Sequence, residues 1–135
     1  MECIDEEDLN VLQKFLWLGL AGSLGTLARY GLAGVVHRFA GAGFPWGTLA
    51  VNVLGCFLAG LLWGLFEYRL EFPPQARMMV LIGFIGAFTT FAGYVVETGE
   101  LLRDAQWFSA AANLVSQNVL GIAAMLAGLA ISRLV

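Results

Sequence analysis

Four long apolar stretches alternate with short polar ones along this chain. They run from about Phe15 to Val36, Trp46 to Phe66, Met78 to Leu102 and Trp107 to Ser132. At ~1.5 Å of rise per residue, about 20 helical residues cross the roughly 30 Å of a bilayer's hydrocarbon core, and each stretch is at least that long. The polar connections His37–Pro45, Glu67–Arg77 and Arg103–Gln106 are too short to hold a soluble domain. The pattern therefore predicts an all-α integral membrane protein with four transmembrane helices per subunit, occupying 15–135. Residues 1–14 read as a solvated acidic tail, with a helical turn starting near Asp5.

Each span carries features that a plain lipid-facing helix would not need. The first holds Gly19, Gly22, Gly25, Gly31 and Gly34, with Ala21 and Ala28, a density of small residues that lets helices approach closely in lipid. Arg29 lies inside it; a guanidinium there must face a polar cavity, pair with a carboxylate or snorkel to an interface. The second is bounded by Trp46 and Trp63 as interfacial anchors and contains Asn52. An unpaired amide in hydrocarbon is costly, so Asn52 must bond across helices or to water, as structural glue or as a pore-lining donor. Pro73-Pro74 stops one helix and starts the next. In the fourth span Asn113, Ser116, Gln117 and Asn118 fall within one or two turns, so that stretch faces the protein interior or water.

The third span is the least regular. Its segment GFIGAFTTFAGYVVE, Gly83–Glu97, puts Gly83, Gly86, Thr89, Thr90 and Gly93 among Phe84, Phe88, Phe91 and Tyr94. Glycine and β-branched threonine weaken a helix interior, and a helix broken mid-membrane is tolerated only where protein or a polar cavity satisfies the freed main-chain groups. Broken helices are also where ion and substrate sites tend to lie.

Composition narrows the class further. Charged residues make up 13% of the chain and apolar ones 59%, against about 25% charged in soluble domains. Glu2, Asp5, Glu6, Glu7 and Asp8 supply half of the ten acids, so the net charge of −3 describes the N-terminus more than the whole. No basic cluster interleaved with aromatics exists, so nucleic acid is not an expected partner. Cys3 and Cys56 do not suggest a disulfide, and the lone His37, expected at a helix end, has no companion at metal-ligand spacing. The acidic N-terminus and long first span do not fit a signal peptide, so that span is expected to stay in the mature protein. Lys14, Arg69, Arg77 and Arg133 on one side, against Arg38 and Arg103 on the other, give a weak positive-inside bias. Such a chain can insert in both orientations and form an antiparallel two-fold dimer.

No nucleophile–base set, metal cluster or phosphate loop supports an enzyme. Glu97 and Glu100 read as ordinary solvated charges near an interface. Thr89, Thr90, Asn52 and Tyr94 offer neutral donors, and Phe91 the positive edge of its ring. Together they suit the dehydration of a small anion that must also leave again. Carbonyls freed at the break, doubled by two-fold symmetry, suit a small hard cation instead, and a flexible kink with packing aromatics is the plain structural alternative.

GTLAVN (Gly47–Asn52) followed by Gly55, then GFIGAFTTFAGYVVE, with Gly25, Arg29 and Tyr30 upstream, resembles the CrcB/Fluc family of fluoride ion channels. The similarity covers roughly residues 15–132. It implies a dual-topology antiparallel dimer in the bacterial inner membrane, with the third helix broken mid-membrane. Such a dimer carries two fluoride pathways that passively export fluoride from the cytoplasm. It also implies one structural sodium ion on the dimer axis, held by main-chain carbonyls that fall on Gly86 and Thr89. By position the fluoride pathway falls on Asn52, Phe91, Tyr94, Thr90, Glu97 and Arg29, joined by Asn113 and Gln117 on the fourth helix.

The chain departs from the family's usual TTFSTF by reading TTFAGY. Ala92 and Gly93 stand where two hydroxyl residues are usual, Tyr94 stands for the second phenylalanine, and Asn113 and Gln117 fall where a Tyr or Asn and a Ser are common. Two alternatives follow. One is a subunit of a heteromeric fluoride channel completed by a paralogous chain, or a non-conducting subunit. The other is a coupled small-ion transporter, although that class needs a carboxylate in the first span, which has none.

Overall fold

The computed structural model describes residues 6–68 and 71–134; Glu2, Cys3, Asp5 and Arg69 lie outside the described residues. The regular elements are α1 (Glu6–Ala40), α2 (Trp46–Tyr68), α3 (Pro74–Met78), a π-helical segment (Met79–Ile85), α4 (Gly86–Phe88), α5 (Phe91–Arg103) and α6 (Trp107–Ser132). Asn10–Ala40, Trp46–Tyr68, Pro74–Arg103 and Trp107–Ser132 are each long and apolar enough to cross a membrane, which makes this a four-span, all-helical membrane protein.

The first helix starts at Glu6, so the helical turn expected in the tail runs unbroken into the span that was expected to begin near Phe15. No glycine or proline occurs between Glu6 and Leu18, so nothing in that stretch opposes helix propagation from the span backwards. At its other end α1 runs past Val36 to Ala40. Gly41 then adopts φ +79 and its N–H returns to the His37 carbonyl at 3.1 Å, closing the helix with a left-handed cap.

The third span also starts earlier than Met78. Pro73 is extended (φ −54, ψ 144) and Pro74 occupies the first turn, where a missing N–H leaves no bond unmade. At the far end Gln106 N–H bonds the Leu101 carbonyl (2.8 Å) and Ala105 N–H the Leu102 carbonyl (3.1 Å). This is a Schellman closure with Ala105, at φ +56, in the position glycine usually fills.

Helices α2 and α6 pack most extensively against each other. Glycines let their main chains meet: a Cβ on Gly60 would overlap the Met125 carbonyl, and one on Gly128 the Phe57 carbonyl. Such close backbone contact is how helices associate where lipid removes any hydrophobic incentive. On the other side, α1 packs against the π segment and α4. There Gly25 lies against the main chain of Phe84, so a side chain at 25 would push α1 away from the third span. The rows Leu16, Leu20, Leu24 and Leu27 on α1 and Val115, Val119 and Ile122 on α6 point outward, as a surface covered by lipid or another subunit requires.

Candidate functional site

Two residues interrupt the third span. Thr89 (φ −80, ψ 158) and Thr90 (φ −147, ψ 113) are both extended, between the end of α4 at Phe88 and the start of α5 at Phe91. Adjacent threonines favour this because their hydroxyls compete for main-chain groups. The Thr89 hydroxyl donates to the Ile85 carbonyl (3.0 Å), and the Thr90 hydroxyl caps α5 by accepting Gly93 N–H (3.0 Å). A continuous helix would send Thr90 N–H to the Gly86 carbonyl and Gly93 N–H to the Thr89 carbonyl. Both donors go elsewhere, so the carbonyls of Gly86 and Thr89 lose their helical partners.

Asn52, on α2, holds the interruption in place. Its Oδ1 accepts Thr90 N–H (2.8 Å), and its Nδ2 donates to the Thr90 carbonyl (3.1 Å) and to Gln117 Oε1 (3.0 Å). This geometry matches the reading of Asn52 as glue between helices, since both hydrogens of its amide have partners within the chain. From Gln117 the line continues within the protein: Gln117 Nε2 donates to Asn113 Oδ1 (3.4 Å) and Asn113 Nδ2 to the Thr98 hydroxyl (2.9 Å). Thr98 in turn donates to the Tyr94 carbonyl (2.7 Å). Asn113, Gln117 and Thr98 are all buried.

Arg29 and Glu97 lie around this line without a hydrogen bond to it among the described residues. Arg29 lines a cavity of about 270 Å³ together with Tyr30, Thr48, Thr90 and Gly93, so it faces a partly polar space beside the break. Glu97 is not the freely solvated charge expected: it is half-buried, and its Oε1 accepts the Thr48 hydroxyl at 2.6 Å. Its Oε2 is buried without a hydrogen-bond partner among the described residues. Glu97 borders a larger cavity of about 510 Å³ with Tyr30, His37, Arg38 and Thr48. Glu100 is exposed. His37 sits in the last turn of α1, and Cys56 is a half-buried free thiol.

The two aromatic candidates behave differently. Tyr94 is buried, whereas Phe91 is 76% exposed on the single chain. Their rings meet edge to face, with centroids 5.3 Å apart and planes at 72°.

Sequence reasoning passed over Thr98 and Thr48. Both were legible by spacing: Thr98 follows Thr90 and Tyr94 at four-residue steps on one face of α5, and Thr48 precedes Asn52 by four on α2.

Fold and site together define a four-span helical membrane protein with an interior line of uncharged hydrogen-bonding groups starting at a helix interruption. Residues 16–129 match the family described as CrcB-like protein, Camphor Resistance (CrcB), and the chain belongs to it. A protein from Desulforapulum autotrophicum named fluoride-specific ion channel FluC is 52% identical over 122 residues, covering 90% of this chain and 98% of the relative. One of the same name from Nitrosococcus oceani is 49% identical over 123 residues, covering 91% and 98%. Another from Solidesulfovibrio magneticus is 49% identical over 125 residues, covering 93% and 100%.

Proposed function

We propose that this protein is a fluoride-selective ion channel that lets fluoride leave the cytoplasm passively across the bacterial inner membrane. The observation that carries the reading is the Thr89–Thr90 interruption pinned by Asn52, from which hydrogen-bonding side chains run on through Gln117 and Asn113. These are dipoles without full charge, so they replace the water of a small anion and still release it. The names of relatives that this chain matches over nearly their whole length supply the anion.

The working unit is an antiparallel dual-topology homodimer with two pathways. In it Phe91, so open on the single chain, is covered by the partner and turns its ring edge to the ion, with Tyr94 supporting the ring from inside. Thr90, Asn52, Asn113 and Gln117 line or position the route, Arg29 raises the local potential at its cavity, and Glu97 marks the other mouth. A structural sodium ion sits on the dimer axis. The residues fit it: the carbonyls of Gly86 and Thr89, released from their helical partners, are neutral oxygen donors of the hard kind a small cation takes. A cation held by these carbonyls would supply positive charge to balance them and so steady the interruption.

A second reading, a heteromeric channel completed by a paralogous chain, is favoured by Ala92 and Gly93, which supply no hydroxyl next to Phe91. Channel and coupled carrier are separated by driving fluoride with an imposed voltage at equal pH on both sides of a liposome. Flux that follows voltage alone supports the channel; flux that requires a proton gradient contradicts it.

A further inference from the structure

Five hydrogen bonds run onward from Thr90 N–H through Asn52 on α2 and Gln117 and Asn113 on α6 to Thr98 and the Tyr94 carbonyl. Each donates in the same direction, while Asn52 also donates back to the Thr90 carbonyl. Thr90 N–H can only donate, so Asn52 must present its oxygen to it and its nitrogen to Gln117. Gln117 must then present oxygen to Asn52 and nitrogen to Asn113. Asn113 repeats the pattern and presents its nitrogen to Thr98. A main-chain N–H released by the helix interruption thereby dictates the orientation of three carboxamides on two other helices.

Such a series needs a terminus able to accept the last hydrogen and dispose of its own. Thr98 meets both needs: its oxygen accepts Asn113 Nδ2 at 2.9 Å, and its hydroxyl hydrogen goes to the Tyr94 carbonyl at 2.7 Å. We infer that Thr98 is a positioning residue for the pathway, holding Asn113 and through it Gln117 in the orientation that keeps a carboxamide oxygen on Asn52. Among the described residues each of Asn113 and Gln117 uses its NH₂ group for one bond, so one hydrogen of each stays free for an anion. Without the Thr98 hydroxyl, Asn113 has a buried donor with no acceptor, and turning over would only set that donor against the nitrogen of Gln117, so Asn113 loses the anchor that steadies Gln117.

The functional half of this inference rests on the fluoride-channel reading, and the test separates the two. Thr98→Val, equal in shape and lacking the hydroxyl, and Thr98→Ser, which keeps it, are reconstituted in liposomes at low copy number. The rate per active channel is then read apart from the fraction of active liposomes. The inference expects Thr98→Val to lower the rate per channel about tenfold, the consequence of one unpaired buried donor, and Thr98→Ser to restore it. A purely structural hydroxyl would lower the active fraction and leave the rate per channel unchanged; that result, or a Thr98→Ser as slow as Thr98→Val, overturns it. A second readout needs no flux and no variant. The side-chain amide hydrogens of Gln117 in the isotope-labelled wild-type protein should exchange with solvent far more slowly than those of the exposed Asn118. Equal exchange overturns the relay whether or not the protein conducts fluoride.

Discussion

The Asn52 carboxamide pairs with both main-chain groups of Thr90, taking its N–H at 2.8 Å and giving a hydrogen to its carbonyl at 3.1 Å. One side chain thus replaces the helical bonds that two threonines break, and fixes α2 to the third span where the chain is extended. Asn52→Asp keeps the acceptor for Thr90 N–H but sets an oxygen against the Thr90 carbonyl or Gln117 Oε1 in place of a donor. We expect fluoride efflux to fall to near background and thermal stability to drop by about 1–3 kcal/mol. Efflux and melting on the same preparation check this; wild-type flux would remove Asn52 from the pathway.

Phe91 gives the opposite profile. Its ring is largely open on the single chain and touches Tyr94 edge to face, so its removal leaves no cavity in the chain's own core. Phe91→Ala should slow fluoride efflux by about tenfold or more, commensurate with losing an aromatic edge interaction. Dimer assembly by size-exclusion chromatography should persist. Loss of the dimer with an unchanged rate in whatever assembles would assign Phe91 to the interface alone.

Glycine positions divide sharply by what surrounds them. Gly128→Ala drives a methyl group into the Phe57 carbonyl and Leu61 amide, and should destabilise the protein by about 1–3 kcal/mol or prevent its accumulation. Gly19 has no atom within 4 Å of an added Cβ, so Gly19→Ala should leave the fold of the chain unperturbed. Melting temperatures of the two variants measure the contrast.

The released carbonyls of Gly86 and Thr89 predict a monovalent-cation dependence. Exchange of sodium for a bulky organic cation during purification should lower the melting temperature of the protein, and sodium should restore it. Identical melting in both media would leave those carbonyls without the proposed ion.

The four spans were plain in the sequence because apolar runs of membrane length have few other uses in so short a chain. GFIGAFTTFAGYVVE drew attention to the Thr89–Thr90 region because glycine and paired threonine oppose helix there. A helical turn was expected near Asp5, but not its unbroken run into the first span, since acidic residues ahead of a span look like a tail whether or not the backbone stays helical. Thr48 and Thr98 were also missed: a threonine in an apolar helix often bonds its own preceding turn. Only the packing of α5 on α6 gives the Thr98 hydroxyl a second partner. Which donors of Asn52 were engaged depends on the Thr90 backbone, a relation between residues 38 positions apart.

Fluoride efflux from liposomes that contain only this purified chain, followed with a fluoride electrode and with chloride as the control anion, tests the central claim most directly. The account predicts rapid loss of fluoride with little loss of chloride, which would make the chain a self-sufficient selective channel despite Ala92 and Gly93. A well-folded dimer that releases no fluoride, or releases both halides alike, would contradict it.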